Sequence, residues 1–279
     1  MKLKEPVDLN RIKNNDSKYT SDWETVLLTG TIKPNIKIRG WKYWYKWSID
    51  VNERIMDYYI SILFYITYSD FKNIVFCENS NYNFDTQITS LKKIAETCNK
   101  NLEIIQFKWN NDALQKTYYW YWEWEIINYA LSKSEILQNC KNWYKITWRY
   151  IIGNINSILE RNKKDDNLFF RLLFGFWLFT ICTAFFKTNN ITYNKYLYDI
   201  NDKLKPWITL ESLYYIVLKK STIKSWKLSE IPYRIWRDSK YRNTNTYQKL
   251  AFYIWLWNYD GIMVRILENM IKLKRTIFH

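Results

Sequence analysis

The stretch KTYYWYWEWEIINYALSKSEIL, Lys116 to Leu137, decides what kind of sheet the chain can build. Its first half puts Trp120, Trp122 and Trp124 at every second position, the period of a strand with one aromatic face. Its second half puts Ile126, Ile127, Tyr129, Ala130 and Leu131 at the period of an amphipathic helix. One of the two signals misleads, and the neighbouring segments say which.

Upstream, TVLLTGTI (Thr25 to Ile32) reads as a short buried strand ending in small polar residues. SIDVNERIMDYYISILFYI follows as a helix, with Ile55, Tyr58, Tyr59, Ile62, Leu63 and Ile66 on one face. NIVFCENSN is a second strand, stopping at Glu78, Asn79 and Ser80. TQITSLKKIAETCN is a helix with Ile88, Leu91, Ala95 and Cys98 at helical spacing, and LEIIQF a third strand. The helix from Glu125 comes next, then YKITWRYII (Tyr144 to Ile152) as a fourth strand. Strand and helix alternate through this half, the pattern of a parallel sheet with helices on both faces. The tryptophan ladder therefore occupies the turn ahead of a crossover helix.

In open parallel sheets ligands bind outside the carboxyl ends of the strands. Those ends carry Thr29, Gly30 and Thr31, then Glu78, Asn79 and Ser80, then Asn110 and Asn111, and finally Thr147 and Arg149. All are groups able to hold a nucleotide or a sugar.

The second half reads differently. NINSILERNKKDDN is a helix tail and charged loop, FTICTAFF a strand, ITYNKYLYDINDKL and TLESLYYIVLKK helices, and the last stretch from Thr246 largely helical. The organisation expected is an N-terminal extension over 1–24, a nucleotide-sugar-binding α/β half over 25–155, and an acceptor-side half with C-terminal helices over 156–279. The longest apolar run, Leu172 to Phe186, has 15 residues, short of the roughly 20 needed to cross a bilayer, and fits a buried strand preceded by a loop.

Bulk composition narrows the classes. An apolar fraction of 48% excludes disorder, and a mean hydropathy of -0.43 argues against a polytopic membrane protein. Cys77, Cys98, Cys140 and Cys182 are widely spaced with no CxxC pair, so neither a zinc site nor a disulfide framework is indicated. They read as reduced thiols in a cytoplasmic protein, and the opening MKLKEPVDLNRIKNND has no apolar signal-peptide core. The net charge of +15 raises the question of a nucleic acid or an anionic membrane, yet the lysines are scattered rather than striped. A solvated basic surface is expected, with no nucleic-acid partner, and peripheral association with the inner face of an anionic membrane stays open. His279 is the only histidine, which excludes histidine-based catalysis.

Average glycine usage of about 7% predicts roughly 20 glycines in a chain of this length. Only 5 are present beside 16 tryptophans, and the two counts together are close to the glycine expectation alone. Trp41, Trp44, Trp47, Trp120, Trp122, Trp124 and Trp148 fall in polar stretches where turn glycines belong. With glycine there, 120–125 becomes Gly-Tyr-Gly-Glu-Gly-Glu ahead of IINYALSKS, and KITWRY becomes Lys-Ile-Thr-Gly-Arg-Tyr.

So read, VLLTGTI, VFCENSNY, the glycine turn opening a helix, and KITWRY followed by IIGNI resemble a group of bacterial GT-A-like glycosyltransferases associated with capsule and lipopolysaccharide synthesis. The resemblance covers about Thr25 to Ile155, and TAFFKTNNITYNKYL and ITLESLYY match more weakly. It implies a GT-A-like, Rossmann-like α/β fold and a mostly parallel sheet with flanking helices and a helical C-terminal part. It also implies transfer of a sugar from a nucleotide-sugar donor to a glycan or lipid-linked glycan acceptor at the cell surface. The chain departs from the pattern where Tyr119 fills the slot of a lysine in the turn, and where tryptophan stands for glycine. A gene that decodes UGA as glycine, translated with a table that reads UGA as tryptophan, would look like this. The rival is a Trp-rich surface that stacks on sugars.

GT-A enzymes commonly hold manganese or magnesium with an Asp-x-Asp near the end of the fourth strand. Thr147, Trp148 and Arg149 stand there instead, and Asp165 and Asp166 are the nearest acidic pair. Arg149, with Lys145 or Lys116, is therefore expected to stabilise the leaving diphosphate, and no cofactor is assigned. Thr29, Glu78 and Asn79 would hold nucleoside or sugar hydroxyls. Arg54, Tyr121 and Asn154 complete the candidate substrate contacts. The general base for the acceptor hydroxyl is expected at Glu211, with Glu123 second. A non-catalytic carbohydrate-binding protein and a basic nucleic-acid or membrane-surface protein are the alternatives kept open.

Overall fold

Asp50 opens the first helix because its carboxylate accepts hydrogen bonds from the free N–H groups of Asn52 (2.7 Å) and Glu53 (3.2 Å). That helix, α1 (Val51–Thr67), then buries Arg54, Tyr58, Ser61, Ile62, Tyr65 and Ile66 along one stripe. The computed structural model describes residues 24–33, 50–109, 120–147, 150–169, 171–174, 178–200, 203, 208–221, 223 and 234–235. The remaining elements in chain order follow the alternation read from the sequence. They are β1 (Thr25–Gly30) before α1, then β2 (Asn73–Glu78), α2 (Asp85–Thr97), β3 (Asn101–Gln106), α3 (Trp120–Lys133), α4 (Glu135–Asn139) and β4 (Asn142–Thr147). After them come β5 (Ile151–Ile152), α5 (Ile155–Arg161), β6 (Arg171–Phe174), β7 (Leu178–Ile181), β8 (Phe185–Asn189), α6 (Asn190–Tyr196), α7 (Leu210–Lys219) and β9 (Arg234–Ile235).

Five strands form one sheet in the order β3-β2-β1-β4-β8, parallel except for β8. The α/β class with a mostly parallel, Rossmann-like sheet is thus observed. Alternate residues of each strand feed two separate cores. Val26, Leu28, Ile74, Phe76, Tyr144 and Ile146 face α1, α2 and α5, while Leu27, Val75, Cys77 and Trp143 face α3, α4, α6 and α7. Because both faces are covered, the strands read as continuous apolar runs.

Four readings are corrected. The helix expected from Glu125 begins at Trp120, so the ladder residues 120–124 belong to α3 rather than to a turn. In a helix, positions 122 and 124 point well apart, and each indole finds its own partner. Trp122 stacks on Trp109 (ring centroids 5.2 Å, planes 7° apart), while Trp124 packs on Tyr121 and donates its indole N–H to the Tyr198 carbonyl at 2.9 Å. The left-handed backbone that would demand glycine is found, among described non-glycine residues, at Asn81 and Asn99 instead. The fourth strand stops at Thr147, and 151–152 is a separate strand antiparallel to β9. The apolar run Leu172 to Phe186 is not helical where described. It falls in β6, β7 and the start of β8, and among the described residues no helix is long and apolar enough to cross a membrane. FTICTAFF is two strands with a turn at Thr183 and Ala184, and the helix expected over ITYNKYLYDINDKL ends at Tyr196. The extension before Glu24 and the stretch from Thr246 lie outside the described residues.

Candidate functional site at the sheet switch point

The chain leaves β1 toward β2 and β3 on one side, and returns to place β4 on the other. The ends of β1 and β4, paired through Thr29 and Thr147, are therefore the topological switch point, the place where open sheets of this kind bind ligands.

A polar cluster sits there on the face covered by α3. Lys145 is fully buried in the middle of β4, and its ammonium hydrogens are all taken. They go to the Glu123 carboxylate, the Thr147 hydroxyl and the Thr183 carbonyl. Glu123 Oε1 also accepts from the hydroxyls of Thr147 (2.8 Å) and Thr29 (3.3 Å). The same carboxylate keeps 16% of its side-chain surface exposed, and Oε2 makes no hydrogen bond among the described residues. Burial pushes the Lys145 ammonium down to about 7, opposed by the charges of Cys182 and Glu211 and by the Glu123 contact itself.

Thr183, in the turn between β7 and β8, joins this cluster to α7. Its carbonyl accepts from Lys145, while its hydroxyl donates to Glu211 Oε1 at 3.0 Å. The other oxygen, Oε2, is buried with no hydrogen-bond partner. Burial raises the Glu211 carboxyl, against its own backbone N–H and the Thr183 hydroxyl, which lower it. The sequence reading did not single out Thr183. Its one signal is a threonine followed by a small residue inside an apolar run, which is where a chain can turn.

The other candidates separate from this cluster. Gly30, Thr31, Arg54, Glu78, Asn79 and Ser80 form a staple that fixes the loops leaving β1 and β2. Glu78 accepts from the backbone N–H groups of Ile32 (2.9 Å), Ser80 (2.9 Å) and Tyr82 (3.2 Å) and from the Ser80 hydroxyl. Burial raises this carboxyl and those four bonds hold it down. Arg54 donates Nε to the carbonyls of Thr31 and Ile32, each at 3.0 Å, and the Thr31 hydroxyl donates to Asn79 at 2.7 Å. At Gly30 a Cβ would lie 2.8 Å from the rings of Phe76 and Tyr58, so close packing accounts for this glycine. The structure shows these six residues in contacts within the protein, around the loops that leave β1 and β2.

Tyr121 is half-buried against Trp124, and burial with the nearby Glu125 charge pushes its hydroxyl up to about 12. Asn154 precedes α5, on the opposite face of the sheet from Glu123. Lys116, Arg149, Asn110 and Asn111 lie outside the described residues. Asp166 accepts from Asn142 (3.2 Å) and pairs with Lys141 (3.5 Å). Asn142 begins β4, so this acidic pair lies at the far end of the strand from Thr147, too remote to replace an Asp-x-Asp there. Among the described residues no group of His, Cys, Asp and Glu is arranged to hold a metal ion.

No protein-family model matches the chain, and no curated protein matches it.

The composition arithmetic predicts that the codons for Trp41, Trp44, Trp47, Trp120, Trp122, Trp124 and Trp148 are mostly UGA. Sequencing the gene decides the matter. UGG at these positions would make the packed indoles of Trp122 and Trp124 genuine core.

Proposed function

We propose that the protein is a glycosyltransferase that moves a sugar from a nucleotide-sugar donor to a cell-surface glycan or lipid-linked glycan. The observation that carries this reading is the Glu123 carboxylate, presented at the switch point by Lys145, Thr29 and Thr147. A carboxylate anchored through one oxygen and still partly exposed is the group an inverting transfer needs to take the acceptor's proton. Glu211 was the first candidate for that base, but its free oxygen is sealed from solvent, so Glu123 takes precedence. The diphosphate falls to Arg149 and Lys116, because Lys145 has no hydrogen left to offer. The aromatic-platform alternative is not advanced, since the stacked pair Trp109 and Trp122 is buried, at 8% and 6% exposure.

The test is incubation with a panel of nucleotide sugars, following release of the nucleotide with and without a glycan acceptor. Release should survive a chelator, because the fourth strand ends without an Asp-x-Asp and the nearest acidic pair is at its other end. Full loss in EDTA with recovery on manganese or magnesium would reject the metal-free mechanism. Release from no nucleotide sugar would reject the function itself.

A further inference from the structure

The two edges of the five-stranded sheet are finished differently. On β8 the chain closes its own edge, where the backbones of Lys187 and Leu168 exchange hydrogen bonds of 3.0 and 2.8 Å. On β3 the odd-numbered residues turn their amides toward β2, since Asn101 donates to the Lys72 carbonyl and Phe107 to the Glu78 carbonyl, each at 2.9 Å. Leu102, Ile104 and Gln106 therefore point their backbone N–H and C=O groups outward, and no backbone partner for them is found among the described residues. Proteins that keep such an edge free of other chains guard it with lysine, proline or a bulge. The strand NLEIIQ has neither residue, and it pairs with β2 one for one without a bulge. Its single charge, Glu103, is turned onto α4, where it accepts from the Ser134 hydroxyl and from the N–H groups of Glu135 (3.2 Å) and Ile136 (3.4 Å). Leu102, Ile104 and Ile105 pack against the two cores yet stay only partly buried, so a further strand would complete their cover.

We propose that this edge is a homodimer interface, in which β3 of a second copy adds antiparallel to β3 about a two-fold axis at Ile104 and joins two five-stranded sheets into one. The residue pattern selects both the occupant and the register. With the axis at Ile104, Leu102 of one copy faces Gln106 of the other, Ile104 faces Ile104, and every outward residue exchanges both its backbone hydrogen bonds. Glu103 then faces Ile105, so no carboxylate meets its own copy. An axis at Glu103 would set two carboxylates directly opposite, which destabilises a strand pair, and would carry Gln106 past the end of the partner strand. An axis at Ile105 would place Leu102 against Lys108, again beyond the strand. Lys100, which comes level with Lys108 in the favoured register, is turned inward onto the carbonyls of Tyr65 and Ser69. The edge is separated from β1 by β2, so pairing leaves the switch point between β1 and β4 uncovered, whatever reaction it serves.

The experiment uses the full chain, with light scattering for its mass and amide hydrogen exchange for the edge. The parent should have twice the chain mass of 34.5 kDa, with the amides of Leu102, Ile104 and Gln106 protected. Ile104→Lys should weaken association by about 100-fold, the usual size of a like-charge clash across an interface. In that monomer the amides of Leu102 and Gln106 should exchange freely, while those of Glu103 and Ile105, bonded to β2, stay protected. Ile104→Glu should dissociate in the same way, and mixing the two variants should restore a dimer, because the axis brings position 104 of each copy together. A monomeric parent, or a dimer whose outward amides exchange freely, would overturn the proposal. So would outward amides still protected in the monomeric variant, the sign of an edge covered by the chain's own segment, and so would folded Lys and Glu variants that stay apart on mixing. Should neither variant fold, the parent decides alone, since protection of its three outward amides must come and go with the dimer as the chain is concentrated and diluted.

Discussion

Glu123→Gln should destabilise the fold by about 3–5 kcal/mol, the usual cost of leaving one member of a buried ion pair uncompensated. Lys145→Met should cost distinctly less. The asymmetry follows from where the two charges sit. Lys145 is fully enclosed, so its ammonium cannot find water when Glu123 is gone, whereas Glu123 retains 16% exposure and can hydrate when Lys145 is gone. The double variant Lys145→Met with Glu123→Gln should recover much of the loss, because it removes both charges from the interior. A pH dependence separates this account from a simple packing defect. The Lys145 ammonium titrates near 7 in the folded chain and at its ordinary 10.5 when unfolded, so the unfolded chain binds the extra proton between those values. Stability attributable to Lys145 therefore rises with pH across that window and is flat on either side of it. The groups that face Lys145 are Glu123, Glu211 and Cys182, and removing Glu123 takes away the contact that opposes burial. Loss of Glu123 lowers the folded Lys145 ammonium further, so the Glu123→Gln deficit should stay constant from 7 to 10.5 and grow as pH falls below 7. Urea unfolding of the three variants and the parent from below 7 up to 10.5 measures it. Equal costs for the two single variants, or a pH-independent deficit, would remove the ion pair as the organiser of this site.

The parallel sheet was legible because its strands are buried on both faces, so Val26 to Leu28 and Ile74 to Cys77 stand out as apolar runs. The chemistry on the strands was only half legible. Lys145 and Thr147 were identified by their place near a strand end, and the structure brings them together with Thr29 and Glu123. Glu78, Asn79 and Arg54 occupy equally suggestive places, yet they are turned inward to satisfy the backbone of neighbouring loops. A residue list cannot tell these cases apart, because the same carboxylate or guanidinium serves a loop or a ligand, and only the partner decides. The ladder misled for a related reason. Alternation is a strand signal only when the residues share a face, and Trp122 and Trp124 instead fill two separate contacts of one helix. Thr183 escaped notice because its decisive group is a backbone carbonyl, which every residue has.

Arg149→Ala should lower transfer by about 100- to 1,000-fold while leaving the melting temperature of the chain unchanged. The size is that of removing one fixed donor from a charge that develops as the nucleotide departs. The case for Arg149 is partly one of elimination among the cations of its sequence segment. Lys145 is the other cation of that segment, and its hydrogens are held by Glu123, Thr147 and Thr183, so it can organise the carboxylate but cannot also bind a phosphate. In the sequence Arg149 follows the last residue of β4, Thr147, by two positions, and open parallel sheets bind ligands beyond the carboxyl ends of their strands. A guanidinium suits that task because its fixed fork matches two phosphate oxygens at once and it does not lose its proton. Arg149→Lys therefore separates charge from geometry. It should recover part of the lost rate but not all, since an ammonium supplies the charge without the paired donors. The measurements are a melting curve for each variant beside nucleotide release from the nucleotide sugar that the panel identifies. Near-normal release in Arg149→Ala would remove it from the mechanism. A drop in melting temperature that accounts for the lost rate would assign it to the fold instead, and leave Lys116 as the cation to be tested for the diphosphate.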